Sequence, residues 1–136
     1  MLNIDDMCSL MIGGLTHSKN REYLSAAAYV REYRTVGLIA QRKSGKTTFL
    51  EKFHRKTSSM LFTHMDTEHS VSFSMIESLM MVCKGVNLYG LKYSCFLVDD
   101  FIYMTPSQSR SLYNLIDSLA AENKLNDDFF VLKLGT

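Results

Sequence analysis

Apolar residues along this chain form two kinds of pattern, and the two kinds alternate. Short continuous apolar runs are typical of strands buried in a sheet, and they predict strands at about 34–40, 59–64, 93–98 and 129–134. Around these runs, apolar residues recur at helical spacing, which predicts helices at about 19–32, 46–56, 70–83 and 106–121. Strands that alternate with helices indicate an α/β domain with a mostly parallel central sheet.

Two of the predicted helices begin with capping signals. Thr105 followed by Pro106 combines a side chain that accepts backbone N–H groups with a residue suited to the first helical turn. Ser18 is the predicted cap of the helix at 19–32. Residues 1–18 predict an irregular lead-in, so the predicted domain comprises residues 19–136. Two glycines predict a loop at 84–90.

Length and charge narrow the class of protein. A chain of 136 residues is long enough for one domain with a core of its own. Its formal net charge of +1 gives no overall attraction to nucleic acid or membranes, so any DNA contact must be local or shared between subunits. Three cysteines without paired spacing, Cys8, Cys83 and Cys95, indicate a reducing compartment. The sequence shows no signal peptide and no apolar span of membrane length, which predicts a soluble, intracellular protein without a membrane partner.

The strongest candidate for chemistry follows the first predicted strand. Residues 44–47, Ser-Gly-Lys-Thr, lie between that strand and a predicted helix, and they match the end of a phosphate-binding P-loop. Backbone N–H groups of such a loop bind phosphate oxygens, the lysine reaches the β- and γ-phosphates, and the threonine hydroxyl coordinates Mg²⁺. The usual glycine five residues before Gly45 is replaced by Ala40, and a surface turn is the alternative interpretation. The predicted ATP-binding residues of the loop are Gln41, Arg42, Lys43, Ser44, Gly45, Lys46, Thr47 and Thr48.

Two carboxylates follow the third predicted strand. Asp99 and Asp100 end an apolar run, which is the layout of a Walker B segment. Asp99 is the predicted ligand of Mg²⁺ together with Thr47. Asp100 occupies the position where many hydrolysing P-loop proteins have a glutamate that orients or deprotonates the attacking water. Both motifs fall at carboxyl ends of strands, where parallel sheets bind ligands. A pair of exposed carboxylates at a strand end is the alternative.

Other polar residues permit both a functional and a structural interpretation. Arg42 lies four residues before Lys46, where a guanidinium either stabilises charge that develops during phosphoryl transfer or is simply solvated. The segment 64–69 has the composition of a metal site, but polar capping residues are also expected where a strand gives way to a helix. Residues 54–56 are either cations at the end of the P-loop helix or a DNA-binding patch.

Together these motifs resemble the ATPase domain of viral DNA-packaging motors, the large terminase subunits of tailed phages and herpesviruses. That family is similar in lacking the first P-loop glycine and in having an arginine at the position of Arg42. The resemblance implies a catalytic role for Arg42, an adenine contact through Tyr23 and a coupling role for Thr136. Residues 89–90 resemble a segment found ahead of the family's Walker B strand.

The resemblance also implies a three-layer P-loop sandwich that is truncated after its fourth core strand. Asp100 stands where the family has glutamate, and Leu134 stands where its coupling motif has a hydroxyl residue. The family's ATPase domain continues further and is followed by a nuclease domain, so the chain is expected to be a fragment, one piece of a split protein or a reduced relative. A missing neighbour strand would expose an apolar sheet edge and favour an oligomer or association with the rest of the motor.

The expected function is binding of ATP and Mg²⁺, with hydrolysis that helps to move double-stranded DNA into a capsid. Lys46 and Thr47 are expected to hold phosphate and metal, Asp99 to hold Mg²⁺, and Asp100 to position water. The expected partners are double-stranded DNA and other packaging subunits, in the host cytoplasm or nucleus during virus assembly. Three alternatives remain open: a nucleotide-binding regulatory or assembly subunit with little turnover, a structural capsid or interaction protein whose P-loop no longer works, and a DNA-replication or helicase-loader ATPase.

Overall fold

The computed structural model describes residues 3–41, 45–64, 70–83 and 92–135. Its α-helices are α1 (Ile4–Gly13), α2 (Ala26–Tyr33), α3 (Lys46–Lys56), α4 (Ile76–Cys83) and α5 (Pro106–Ala121). Its strands are β1 (Thr35–Ile39), β2 (Ser59–Thr63), β3 (Val71–Ser72), β4 (Tyr93–Asp99) and β5 (Leu125–Gly135). Short 3₁₀ helices occupy Lys19–Tyr23, Phe73–Met75 and Phe101–Tyr103.

The strands form one parallel sheet in the order β1-β5-β4-β2-β3. β5 lies between β1 and β4, so the ends of both neighbours flank its carboxyl end. The register places Leu134 opposite Leu38 on one side and opposite Asp99 on the other. This arrangement confirms the predicted α/β class with a mostly parallel sheet.

Helices cover both faces of the sheet and complete three layers. Because side chains of a strand alternate between faces, residues of β4 enter two separate cores. Phe96 and Val98 join the core beneath α2, α4 and α5, whereas Cys95 and Leu97 join the core beneath α1 and α3. All four residues are fully buried, as expected for an inner strand with helices on both faces.

Capping side chains determine where two of the helices begin. At α5 the Gln108 N–H donates to the Thr105 hydroxyl at 3.1 Å, and the Thr105 N–H donates to the Gln108 side chain at 3.0 Å. This capping box, with Pro106 in the first turn, gives α5 the limits that the sequence predicts. At α2 the Ser25 hydroxyl accepts from the Ala28 N–H at 3.1 Å.

The N-terminal segment differs from the prediction. Residues 1–18 were expected to be irregular, but they contain α1, whose Ile4 and Cys8 are buried in the core that α3 shares. The Asn3 side chain caps this helix by accepting from the Asp6 N–H at 2.8 Å. A helix of 10 residues with two buried positions leaves only a weak periodic signal, which explains the wrong prediction.

The other differences concern element boundaries. The helix predicted at 19–32 is a 3₁₀ helix followed by α2, because Ser25 rather than Ser18 caps the α-helix. The helix predicted at 70–83 begins with β3 and a 3₁₀ turn, so the described residues contain five strands instead of four. The loop predicted at 84–90 lies outside the described residues.

Two cysteine thiols, Cys8 and Cys95, are buried and free. Burial raises the pKa of the Cys95 thiol to about 12, and a hydrogen bond from Thr57 opposes the shift only in part. Burial and the nearby Asp5 carboxylate raise the pKa of the Cys8 thiol to about 11. Both thiols are therefore protonated and unreactive at neutral pH.

Gly135 offers a test of how closely the end of β5 packs against the 3₁₀ helix that follows β4. A Cβ atom on this residue would lie 2.9 Å from Cε1 of Phe101, closer than real Cβ atoms approach other atoms. We therefore expect Gly135→Ala to lower the free energy of unfolding by about 1–3 kcal/mol, measured by urea denaturation.

Gly37, on the neighbouring strand β1, provides the matched control. A Cβ atom there would have its nearest neighbour at 3.8 Å, so Gly37→Ala should change the free energy of unfolding by less than about 0.5 kcal/mol. Combining Gly135→Ala with Phe101→Ala should cost less than the sum of the single changes, because the small residue at 101 removes the clash. Strictly additive losses would show that the Phe101 ring is not the cause.

Candidate functional site

Two segments that are distant in sequence meet at the carboxyl edge of the sheet. β1 ends at Ile39 and leads through residues 40–45 into α3, while β4 ends at Asp99. The Thr47 hydroxyl, in the first turn of α3, donates to Oδ2 of Asp99 at 2.8 Å. The structure thus brings the predicted phosphate loop and the predicted metal carboxylate together, although β5 separates their strands.

The turn into α3 depends on Gly45. Its φ of 86° lies in the left-handed region, which glycine adopts freely and which costs most other residues about 1–2 kcal/mol. The Phe49 N–H donates to the Gly45 carbonyl at 2.8 Å, so Gly45 is the N-cap of α3. Gly45 has no side chain that could accept from the N–H groups of the first turn, and N–H groups at such a position can bind an anionic ligand.

The side chain of Lys46 contacts the two residues that follow β1. Only 7% of this residue is exposed. Its ammonium group donates to the carbonyl of Ala40 at 3.3 Å and to that of Gln41 at 3.1 Å. A buried ammonium group needs such partners, since an unpaired buried charge is strongly unfavourable. The positive charge is therefore held across the loop, next to the first turn of α3.

Asp99 is buried but only partly satisfied. Its Oδ2 accepts the Thr47 hydroxyl, whereas Oδ1 is buried without a hydrogen-bond partner within the described part of the chain. Burial raises the pKa of this carboxyl, and the Thr47 hydrogen bond opposes the shift only in part. A buried carboxylate oxygen without a partner, beside a hydroxyl, fits a hard cation that prefers oxygen ligands.

Few protein side chains at this site could bind a metal ion. Among the described residues, no group of three or more His, Cys, Asp or Glu side chains is placed to hold a metal. Mg²⁺ usually takes one or two protein carboxylates and completes its shell with water and substrate phosphates. Thr47 and Asp99 therefore fit Mg²⁺ that binds together with a phosphorylated ligand.

Asp100 contacts a different part of the molecule from Asp99. Its φ of 53° is left-handed, a conformation that aspartate tolerates better than most residues, and a 3₁₀ helix follows it. Oδ2 of Asp100 lies 3.6 Å from Nδ1 of His64, the residue directly after β2. The structure thus places Asp100 beside the end of β2, one residue beyond the buried carboxylate.

The contact between His64 and Asp100 is not apparent from the sequence. The composition of residues 64–69 suggests a metal site or helix capping, and residues 65–69 lie outside the described part. The contact arises because β2 pairs with β4, which places the ends of these strands side by side. Polar residues directly after both strands are the only sequence signal for it.

Tyr23 is not brought to the loop. It lies in the 3₁₀ helix before α2 and is 83% exposed. Its neighbour Arg21 donates to the Asp127 carbonyl, near the start of β5, at 3.3 Å. The loop contacts the other end of β5, where the Ala40 N–H donates to the Gly135 carbonyl. Residues 127 and 135 lie eight strand steps apart, or about 26 Å, so the position of Tyr23 does not support the expected adenine contact.

A cavity of about 250 Å³ lies near Tyr23, at the amino edge of the sheet. Residues of the first 3₁₀ helix, α2 and the first half of β5 line it, including Arg21, Tyr29 and Phe129. The cavity is therefore far from Asp99 and does not identify the candidate site. The candidate site is identified instead by the polar side chains at the carboxyl edge of the sheet.

Two further predicted site residues are exposed: Gln41, two residues after the end of β1, and Thr48, in the first turn of α3. Four further predicted residues lie outside the described part of the chain: Arg42, Lys43, Ser44 and Thr136.

Comparisons with known proteins identify no relative of this chain. No protein-family model, no curated protein and no solved structure matches it. Within the described residues, every helix is too short or too polar to cross a membrane. Any functional conclusion therefore depends on the site geometry and on the sequence motifs.

The burial of Asp99 leads to a prediction about stability. Because the folded-state pKa of its carboxyl is raised, the native state retains a proton that the unfolded chain has lost. Without Mg²⁺, the contribution of Asp99 to stability should therefore fall as the pH rises from about 4 through the raised pKa. Asp99→Asn should abolish this decline and raise the free energy of unfolding at neutral pH by about 1 kcal/mol or more.

Urea denaturation between pH 4 and pH 8 in a chelating buffer measures this effect. Asp127→Asn is the matched control, because the Asp127 side chain is 96% exposed and its replacement should change stability by less than about 0.5 kcal/mol. If Asp99→Asn has the same pH profile as the unmodified protein, the proposed desolvation of Asp99 is wrong.

Proposed function

We propose that this chain is a P-loop domain that binds ATP together with Mg²⁺ and hydrolyses it, of the kind found in viral DNA-packaging motors. One observation carries the proposal: the Thr47 hydroxyl donates to the buried Asp99 carboxylate at 2.8 Å, where a glycine-led helix begins. The ammonium group of Lys46 lies on the same loop. A triphosphate and its metal ion require this combination of helix N–H groups, ammonium, hydroxyl and acid.

Each group has a distinct task in this proposal. The N–H groups at the start of α3 and the Lys46 ammonium bind the phosphates and offset their negative charge. Thr47 and Asp99 hold Mg²⁺, which neutralises charge on the phosphates when it is bound. Because Asp99 is buried, its attraction for a cation is screened less than that of a surface carboxylate.

Hydrolysis requires groups beyond those that bind the phosphates. We assign to Asp100 the task of orienting or deprotonating the attacking water, because it directly follows the metal carboxylate. Arg42, from the same loop as Lys46, would stabilise charge on the transferred phosphoryl group. The Asp100 side chain is one methylene shorter than the glutamate that usually acts there, so turnover should be slow.

The link to DNA packaging depends on the sequence resemblance and gains support from the position of β5. Its carboxyl end touches both halves of the site, because the Ala40 N–H donates to the Gly135 carbonyl at 2.8 Å and the Phe101 ring lies against Gly135. A change in the loop or after Asp100 would therefore reach Gly135, the residue before the proposed coupling residue Thr136. The proposed partners are double-stranded DNA and other packaging subunits, or the rest of a split motor, in an oligomer.

One observation favours a second candidate, a nucleotide-binding regulatory or assembly subunit with little turnover. An aspartate stands at position 100 where hydrolysing P-loop proteins usually have glutamate, and its shorter side chain limits the reach of the carboxylate. A subunit of this kind would bind ATP with Mg²⁺ through the same loop but release no phosphate. Phosphate release by the unmodified protein separates the two candidates.

Replacement of Lys46 tests the nucleotide site. Lys46→Ala should weaken binding of ATP with Mg²⁺ by at least about tenfold and reduce phosphate release to background, because it removes a charge-assisted hydrogen bond. Lys52→Ala is the matched control: Lys52 is an exposed lysine on the same helix, and its replacement should change neither quantity. Isothermal titration calorimetry and a phosphate-release assay provide the measurements.

The outcomes of this experiment distinguish the candidates. Binding that Lys46→Ala weakens, together with phosphate release, supports the ATPase. Binding that Lys46→Ala weakens, without phosphate release, supports the regulatory subunit. Failure of the unmodified protein to bind ATP with Mg²⁺ at millimolar concentration contradicts both.

A further inference from the structure

We propose that His64 is a positioning residue for Asp100 and that it holds the carboxylate in the orientation needed to act on the attacking water. This inference rests on the proposed ATPase function and adds to it a residue that the P-loop and Walker B motifs do not include. Three observations support it: the pairing of two strands, the contacts of the imidazole and the backbone conformation of Asp100.

The pairing of β2 with β4 brings His64 and Asp100 together. Phe62 lies opposite Val98 in the parallel register, and His64 and Asp100 each follow two residues later. Strands that pair in this way diverge little over two residues, so the side chains beyond their ends are close neighbours. The contact is therefore a consequence of the sheet and does not depend on a flexible surface loop.

The imidazole of His64 has a neighbour on each side. Its Nδ1 lies 3.6 Å from Oδ2 of Asp100, and the centroid of its ring lies 4.8 Å from that of Tyr103, with 33° between the two planes. Tyr103 is held in place because its N–H donates to the Asp100 carbonyl at 3.0 Å. The short 3₁₀ helix thus turns the chain back after Asp100 and places an aromatic ring against the histidine.

The left-handed backbone at Asp100 separates the two neighbouring carboxylates. Asp99 faces Thr47 and α3, whereas Asp100 faces the end of β2. A non-glycine residue with φ of 53° has a backbone that is not at its preferred minimum, so surrounding contacts must hold it. His64 and the turn that ends at Tyr103 provide contacts of this kind.

The geometry suits positioning better than other tasks for His64. A separation of 3.6 Å is longer than a direct hydrogen bond, so the imidazole lies beside the Asp100 carboxylate and leaves the carboxylate oxygens able to accept a hydrogen bond from water. The two side chains are 39% and 28% exposed, so water can reach both.

Three substitutions of His64 test this role through steady-state kinetics of ATP hydrolysis. His64→Ala should lower kcat about tenfold, because the general base loses its orientation, while KM for ATP stays within about twofold. His64→Asn should restore most of kcat, because its amide nitrogen occupies the position of Nδ1. His64→Gln, whose amide corresponds to the position of Nε2, should restore much less.

Tyr103 provides a second, independent comparison. Tyr103→Phe keeps the ring that lies against His64 and should leave kcat within about twofold, whereas Tyr103→Ala removes the ring and should lower kcat. Urea denaturation of each variant shows that it is folded before its kinetics are interpreted.

Several results would overturn this inference without affecting the proposed function. These are an unchanged kcat in His64→Ala, equal loss in His64→Asn and His64→Ala, or a rise in KM that accounts for the whole loss. By contrast, an unmodified protein that binds ATP but releases no phosphate removes the ATPase proposal, and the role of His64 is rejected with it.

Discussion

The hydrogen bond between Thr47 and Asp99 is the interaction on which the candidate site depends. It links the first turn of α3 to the end of β4 across the carboxyl end of β5. To form it, the protein buries a carboxylate whose second oxygen has no hydrogen-bond partner among the described residues. Such an arrangement is unfavourable for folding by itself. Groups that lower stability in this way are concentrated at functional sites, where a ligand completes their interactions.

Buried apolar residues pack directly next to the polar groups of the candidate site. Leu97, Leu132 and Leu134 are fully buried on β4 and β5, in the strand segments that lead to the site. Side chains packed on both faces of these inner strands leave little freedom to the backbone that carries Asp99. Thr47 and Asp99 are therefore held by a helix and a buried strand, which is the condition for accurate placement of functional groups.

Sequence reasoning predicted the parts of the fold that depend on local signals. Residues Thr105 and Pro106 define the start of α5, and the apolar run before Asp99 defines β4, because capping and burial leave direct patterns. The order of the strands has no local signal, so the meeting of His64 with Asp100 could not be predicted. The break before α2 was missed because two serines compete as caps, and only packing decides between them.

The sequence likewise predicted the parts of the candidate site that have a local signal. Lys46, Thr47 and Asp99 are close together because each stands at a strand end or helix start that the sequence marks clearly. The position of Tyr23 depends instead on where a helix breaks, and its expected contact came only from resemblance. The left-handed backbone of Asp100 could not be predicted either, because aspartate adopts several conformations and the sequence does not select one.

The two carbonyl contacts of Lys46 have a consequence for any anion that enters the loop. An ammonium group has three N–H donors, and two of them donate to the carbonyls of Ala40 and Gln41. A phosphate that accepts the third N–H gains a charge-assisted hydrogen bond without displacing either carbonyl. Because Ala40 and Gln41 directly follow β1, a single side chain would then connect the bound anion to the edge strand of the sheet.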